Sequence, residues 1–229
     1  MILSYLSLIA DRPNLKTLTT GEIEFTKGIP ITNLEEKNLK IFADLVLKAN
    51  KEINLIGKST ESVIWERHIL DSLQLVNLIP SSATSFCDVG SGAGFPGIVI
   101  ALLTDLNGYL IEPIKKKADF LNDVVSRLGK EKNLAHIRVV QDIYENTKKT
   151  LPTNLDVVTA RALMPLVDLC ELFFNNINTG TIGIFPKGKS WEKELNDAQK
   201  LWKIDYSLAI SVTNKESRIV IVEGLEKNE

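Results

Sequence analysis

Cysteine is nearly absent from this chain: 229 residues hold two, Cys87 and Cys170. Two cysteines that far apart exclude a disulfide framework and any CxxC redox or zinc site. Histidine is as scarce, with His68 and His136 only. A metal site would have to rest on carboxylates, so none is expected. No apolar run approaches the ~18 residues that span a bilayer. The opening "MILSYLSLIADRP" has no basic leader and is closed by Asp11 and Arg12, so it reads as an amphipathic helix and not as a signal peptide. A cytoplasmic protein without membrane partners is the expectation. There is no excess of positive charge: the net charge is −2, whereas a dedicated nucleic-acid module is usually basic. Any nucleic-acid contact would need a local basic patch. Internal repeats and low-complexity tracts are also missing.

What is present is a substantial apolar fraction, 44%, enough for a packed core. The texture changes near Pro80. Before it the pattern is helical: residues 33–55 place Leu39, Phe42 and Leu45 at helical spacing, and residues 59–80 open with Ser59 or Thr60 as an N-cap. Residues 11–32 are rich in turn formers. After Pro80, short apolar runs (85–89, 108–112, 136–140, 155–160, 181–185) alternate with helix-like stretches (96–105, 115–129, 142–149, 164–176, 189–202). That alternation predicts βαβ units and a mostly parallel sheet. "YSLAISV" and "SRIVIVEGL" are separated only by "TNKE", which predicts a terminal antiparallel hairpin. The fold class read here is α/β: a helical region over 1–80 packed on a Rossmann-like domain over 81–229.

The first apolar run leads into "DVGSGAGFPG". A P-loop needs a Lys-Ser/Thr pair that is missing. Gly92, Gly94 and Gly97 satisfy GxGxxG, with Glu112 twenty residues after Gly92 where a ribose-binding acid belongs. Asp88, Gly90, Gly92 and Gly94 satisfy equally the acid-then-GxGxG register of S-adenosylmethionine enzymes, with the same Glu112. The plain alternative is a tight turn for helix packing. Asp88 separates the readings: a carboxylate there repels a pyrophosphate and suits the cationic amino-acid part of S-adenosylmethionine.

Five segments in order, "RHILDSL", "DVGSGAGFPGI", "EPIKKKADFL", "TARAL" and "PKGK", resemble the glucose-inhibited division protein B (GidB/RsmG) family over roughly residues 33–224. The resemblance implies a class I S-adenosylmethionine-dependent methyltransferase with a seven-stranded, mostly parallel sheet, acting on guanine N7 of 16S ribosomal RNA. It implies cofactor contacts at Gly90, Phe95, Glu112, Tyr144, Glu145 and Arg161. Tyr144 and Glu145 are expected beside the adenine. Asn54 and the "RHILDS" helix are expected near an RNA-facing cleft. Ile56 stands where the family often has Thr.

Guanine N7 carries a lone pair and no proton, so its methylation needs alignment and no general base. Consistent with this, the sequence lacks [ND]PP[YFW] and a Pro-Cys nucleophile. Arg161, Lys187 and His68 are the candidates for alignment or RNA contact, and Asp71 for shaping the mouth of the site. Lys115, Lys116, Lys117, Arg161, Lys187 and Lys189 could form a basic rim. Each has a simpler reading: His68 as a core histidine, the three lysines as a solvated face, Asp71 as a partner of Arg67 at helical spacing, Cys87 as a small buried hydrophobe, Trp65, Trp191 and Trp202 as packing. A monomer is expected. A nicotinamide oxidoreductase and a non-catalytic cofactor-binding subunit are the competing functions.

Overall fold

The computed structural model describes residues 15–17, 23–25, 31–130 and 132–229. The N-terminal amphipathic segment lies outside them. Strands β1 (Leu15–Thr17) and β2 (Ile23–Phe25) occupy the turn-rich segment. Helix α1 (Asn33–Ala49) begins with a capping box in which Thr32 and Glu35 bond each other's backbone N–H, satisfying two otherwise orphaned donors. It ends six residues before Leu55, the last residue of the helical pattern. There Asn50 turns the chain: its Oδ1 accepts from the N–H groups of Leu55 and Ile56, at 2.6 and 2.9 Å.

Residues 59–80 form three short helical pieces in place of one helix: a 3₁₀ turn over Lys58–Val63, a π-helical turn over Trp65–Leu70 and α2 (Asp71–Val76). The cap of the first piece is Gly57, with no side-chain cap bond. Thr60 instead turns its hydroxyl back onto the Gly57 carbonyl, at 2.7 Å.

The alternating half of the chain runs β3 (Ser85–Val89), α3 (Gly97–Leu103), β4 (Asn107–Ile111), α4 (Lys115–Leu128), β5 (Ile137–Val140), a 3₁₀ turn over Tyr144–Lys149, β6 (Val157–Thr159), α5 (Leu166–Ile177), β7 (Ile182–Lys187), α6 (Trp191–Gln199), β8 (Trp202–Ile210) and β9 (Arg218–Lys227). The sheet order is β1-β2-β8-β9-β7-β6-β3-β4-β5. The five strands β3 to β7 pair in parallel, and β9 inserts antiparallel between β7 and β8. The expected seven-stranded Rossmann-like sheet with its terminal hairpin is therefore present, and β1 and β2 extend it beyond β8.

Side chains alternate along the strands, so the sheet sorts them into two cores. Phe86, Val157, Ile184, Ile219 and Ile221 face α1, α3 and α4. Cys87, Val158, Phe185, Val220 and Val222 face α5 and α6. Leu39, Phe42, Val46, Ile69 and Leu73 from the region before Pro80 belong to the first core; that region completes one layer of the sandwich. Cys87 is fully buried among apolar neighbours.

Strand order reverses between β3 and its two neighbours: the chain proceeds from β3 to β4 to β5, then returns to β6 on the other side. A crevice opens beyond the carboxyl ends of strands at such a switch point. The glycine turn leaves β3 there, and Arg161 follows β6 there.

At the foot of the turn, α3 must approach β3 and β4 closely. A Cβ on Gly97 would stand 2.4 Å from Leu110 Cδ2 and 2.6 Å from Asp88 Oδ2. Both neighbours are buried, so neither can swing aside. Gly97→Ala is therefore expected to cost about 1–3 kcal/mol through overpacking, read as a lowered urea midpoint at unchanged m-value.

Candidate cofactor and substrate site

The turn after β3 holds Gly90, Gly92 and Gly94 at φ of 71°, 55° and 91°, backbone that residues with a Cβ rarely adopt. Its amides are already committed. The N–H groups of Gly90 and Ser91 both donate to the Ile111 carbonyl, at 2.9 and 3.0 Å, and that of Gly94 to the Ser91 carbonyl. The Gly92 N–H donates to Glu112 Oε2 at 2.8 Å, and the Gly97 N–H to Asp88 Oδ2 at 3.1 Å. A dinucleotide pyrophosphate is held by such amides. Here five of them are spent on protein oxygens, and a carboxylate occupies the Gly92 amide where a phosphate would have to sit.

Glu112, just past β4, accepts a second bond, at Oε1 from the Ile114 N–H. Each of its oxygens keeps a lone pair, an arrangement suited to two vicinal hydroxyls. Asp88 lies beneath the turn and not in the crevice: it is 1% exposed, with Oδ2 on Gly97 and Oδ1 without a protein partner. Any effect on a cofactor is through the turn it holds. Burial, with a smaller push from Glu112, raises its pKa from 3.8 to about 7, against the hydrogen bonds at Ser91 and Gly97 and the Arg161 cation.

Tyr144 is also core. It packs edge-on to Phe173, with ring centroids 4.9 Å apart, and its hydroxyl donates to Asn176 Oδ1 at 3.0 Å. Its ring fills the α5 side of the sheet, which explains why burial raises its pKa; Glu145 beside it is exposed. The apolar side chains left open past the ends of β4 and β5 are Ile114 and Ile143, 51% and 47% exposed. They lie three residues beyond the paired positions Ile111 and Val140 of adjacent parallel strands. The sequence signal for them was an isoleucine just past a strand end, overlooked beside the more conspicuous Tyr144.

Phe95 is 4% exposed and joins three parts of the molecule. Its ring packs on Phe42 of α1 at 4.9 Å, stacks with His68 at 5.1 Å and lies 5.5 Å from the Arg161 guanidinium carbon. Arg161 donates from Nη2 to His68 Nδ1 at 2.8 Å and from Nη1 to Asp71 Oδ2 and the Arg67 carbonyl, each at 3.2 Å. Asp71 thus pairs with Arg161, brought from β6 by the fold, and not with Arg67 at helical spacing. Its Oδ1 accepts from Thr213 at 2.9 Å and from Gln74 at 3.0 Å, which ties the β8–β9 connection to the same cluster. Burial, then the cations Arg161 and Arg67, push the His68 pKa down to about 4.

Arg67, His68, Asp71 and Arg161 line a cavity of about 500 Å³ that also touches Lys187, Thr213 and Arg218. Lys187 is 9% exposed. Its ammonium pairs with Glu194 at 2.8 Å and donates to the Met164 carbonyl, so it is a buried structural cation at the cavity wall. The remaining rim candidates divide similarly. Lys115 pairs with Asp119 and Lys189 with Glu216 on the surface, leaving Lys116 and Lys117 as the candidates to which no ion pair is assigned. Asn54 is exposed, whereas Asn50, four residues earlier, holds the amides of Leu55 and Ile56. Trp202 is buried, while Trp65 and Trp191 pack against the two cores. Among the described residues no group of three His, Cys, Asp or Glu is placed to hold a metal.

Asp88 supplies a pH test. Its folded pKa lies above its unfolded value, so its contribution to stability is complete below about pH 4 and is lost as pH rises through about 7. Asp88→Asn keeps an acceptor for Gly97 and never ionises. The variant's melting temperature minus the wild-type value is expected to grow between pH 4 and 8 in scanning calorimetry; a difference constant with pH would contradict the assignment.

Residues 35–221 match the family model GidB, described as rRNA small subunit methyltransferase G. Curated relatives named ribosomal RNA small subunit methyltransferase G include that of Rhodopseudomonas palustris, 36% identical with 95% of this chain and 98% of the relative covered. That of Bartonella quintana is 38% identical with 84% and 88% covered. Among solved structures, a mutant of MtNAS in complex with S-adenosylmethionine aligns at a TM-score of 0.52 and 14% identity over 83% of this chain and 76% of that one. Cofactor-bound Rv0187 from MTB aligns at 0.52 and 13% over 82% and 90%. At those identities the structures speak to fold alone, the Rossmann-like methyltransferase fold found here. The family match is of another order: this chain is a member of the GidB family of small-subunit ribosomal RNA methyltransferases.

Proposed function

We propose that this protein transfers the methyl group of S-adenosylmethionine to N7 of a guanosine in small-subunit ribosomal RNA, as a monomer in the cytoplasm. The observation that carries the cofactor half of this reading is the commitment of the turn's amides to Ile111, Glu112, Ser91 and Asp88. A crevice so built has few donors for a pyrophosphate and one oriented carboxylate for a ribose. The residues present therefore fit an adenosine-containing sulfonium better than a dinucleotide.

When bound, S-adenosylmethionine supplies an electrophilic methyl group. Glu112 would accept from the ribose hydroxyls, and Ile114 and Ile143 would flank the adenine. Gly92, where a Cβ would meet only the Gly90 carbonyl, leaves backbone bare that the amino-acid part could approach, while Gly90 and Gly94 give that face to Leu163 and Ile98. Arg161 has five N–H groups, of which three meet protein acceptors. The other two can take a carboxylate or a phosphate. The guanosine would enter the adjoining cavity, with the β8–β9 connection as one wall. His68 is neutral near pH 7 and both its ring nitrogens are occupied; no free base faces the cavity there, which suits a nucleophile that carries no proton. Holding donor and acceptor in line is then the main contribution of the chain, a class of effect that can supply on the order of 7–11 kcal/mol. With the whole chain at −2, RNA binding would rest on local cations and weaken as salt is raised. No helix among the described residues is long and apolar enough to cross a membrane.

Gly92→Asp tests the site. A Cβ at Gly92 meets only the Gly90 carbonyl, 3.7 Å away, and Asp tolerates its left-handed backbone better than most residues. The variant should fold, yet place a second carboxylate beside Glu112 and into the cofactor's space. Titration calorimetry with S-adenosylhomocysteine is expected to show binding to the wild type and a loss of at least about 100-fold in the variant. Wild-type binding of NAD in place of S-adenosylhomocysteine would overturn the reading.

A further inference from the structure

Arg161 stands at the switch point between the glycine turn and the substrate cavity, and something must hold its flexible side chain there. Asp71 offers charge at 3.2 Å. His68 offers a shorter contact, 2.8 Å, and its ring is fixed from three directions. Phe95 stacks on one face at 5.1 Å with 25° between the planes. Thr60 Oγ1 lies 2.8 Å from Nε2, and Arg161 Nη2 closes Nδ1.

The protons in this chain can run only one way. A guanidinium donates and never accepts, so His68 Nδ1 must present its lone pair to Arg161. The ring proton is then on Nε2 and is donated to Thr60 Oγ1. The Thr60 hydroxyl in turn donates to the Gly57 carbonyl, at 2.7 Å. The relay Arg161 to His68 to Thr60 to Gly57 O leaves no mismatched donor and no ring nitrogen for an external ligand.

We propose that His68 is the positioning residue of the methyl transfer: a neutral, single-tautomer acceptor that holds the Arg161 guanidinium over Phe95, and not a residue that touches RNA or takes up a proton. The inference rests on the reading that Arg161 faces the reactants. A charged imidazolium would turn an N–H toward Arg161 and break the clamp, and the cations that surround the ring, Arg161 and Arg67, oppose that charge. Asp71 is the one carboxylate in the cluster, and it faces Arg161, Gln74 and Thr213. The π-helical turn over Trp65–Leu70 makes physical sense in this light: such irregularities re-aim side chains and recur at functional sites. Here it delivers His68 toward Arg161, with the next element opening on Asp71.

Three substitutions separate the ring's two nitrogens. His68→Asn places an amide oxygen near the Nδ1 position and can still accept from Arg161. His68→Gln reaches toward Thr60 and offers nothing at Nδ1. His68→Phe keeps the stack on Phe95 and loses both bonds. Single-turnover methyl transfer to small subunits lacking the modification is measured with thermal unfolding of each variant. His68→Phe and His68→Gln are expected to lower the transfer rate on the order of 10- to 100-fold, the scale of a lost hydrogen bond to a charged group. KM for the subunit should change little. His68→Asn should recover most of that loss.

Equal loss in all three variants, a loss confined to KM, or full activity of His68→Phe would overturn the proposal. Should the His68 variants unfold, Thr60→Val and Thr60→Ser take their place. The first is expected to lower the rate several-fold at unchanged KM and the second to restore it; no change in Thr60→Val would sink the relay. A wild-type protein that transfers no methyl group would refute the underlying function. An active wild type with an equally active His68→Phe refutes only the role of His68.

Discussion

The amide hydrogens of Gly90 and Ser91 share the carbonyl oxygen of Ile111, and the next amide, of Gly92, is taken by Glu112. These three bonds lash the turn that follows β3 to the end of β4. They fix where the backbone bends and hold the Glu112 carboxylate against the turn, where it is 3% exposed. They also remove the donors a phosphate would need. From beneath, Asp88 captures the Gly97 amide and draws α3 against the sheet. Bare backbone is required at Gly90, Gly94 and Gly97 by the close approach of Leu163, Ile98 and Leu110, and at Gly92 by its left-handed φ, not by one phosphate cradle.

A second column of contacts runs from α1 to the residue after β6. Phe42 on α1, Phe95 in the turn, His68 on the π-helical turn and Arg161 after β6 touch in succession. The region before Pro80 is therefore not an appendage to the sheet. It supplies one core layer, the histidine that faces Arg161 and, through Asp71, the link to the β8–β9 connection. A candidate site assembled from four distant parts of the chain acquires its geometry only when the fold is complete, which is why so little of it is local in sequence.

The strands and the crevice were legible because period-2 alternation and the glycine spacing are local signals. Leu39, Phe42 and Leu45 announced α1 by their helical spacing, which is also a local signal. What escaped was tertiary. Nothing at positions 67 and 71 says that Asp71 will prefer Arg161, ninety residues away, to a neighbour one turn back. Lys187 reads as a free cation in "PKGK" until Glu194 folds over it from α6. Tyr144 looks like a stacking residue, yet the chain folds it under α5, and the exposed apolar surface falls to Ile114 and Ile143. The end of α1 at Ala49 was hidden because Asn50 stops it with a side-chain oxygen that bonds two later amides, a device with no periodicity. Resemblance to the GidB family supplied the guanine N7 chemistry, which glycine spacing alone does not contain.

The central claim is that the crevice beside Gly90 and Glu112 delivers a methyl group to guanine N7 in ribosomal RNA. The most direct test is incubation of small subunits from a strain lacking this protein with labelled S-adenosylmethionine and the purified chain, followed by mapping of the modified base. The account predicts label at a single guanosine, with reductive strand scission at that position diagnostic of N7 methylation. Transfer to an exocyclic amine, a ribose or a pyrimidine, or no transfer to either the subunit or its free RNA, would contradict it.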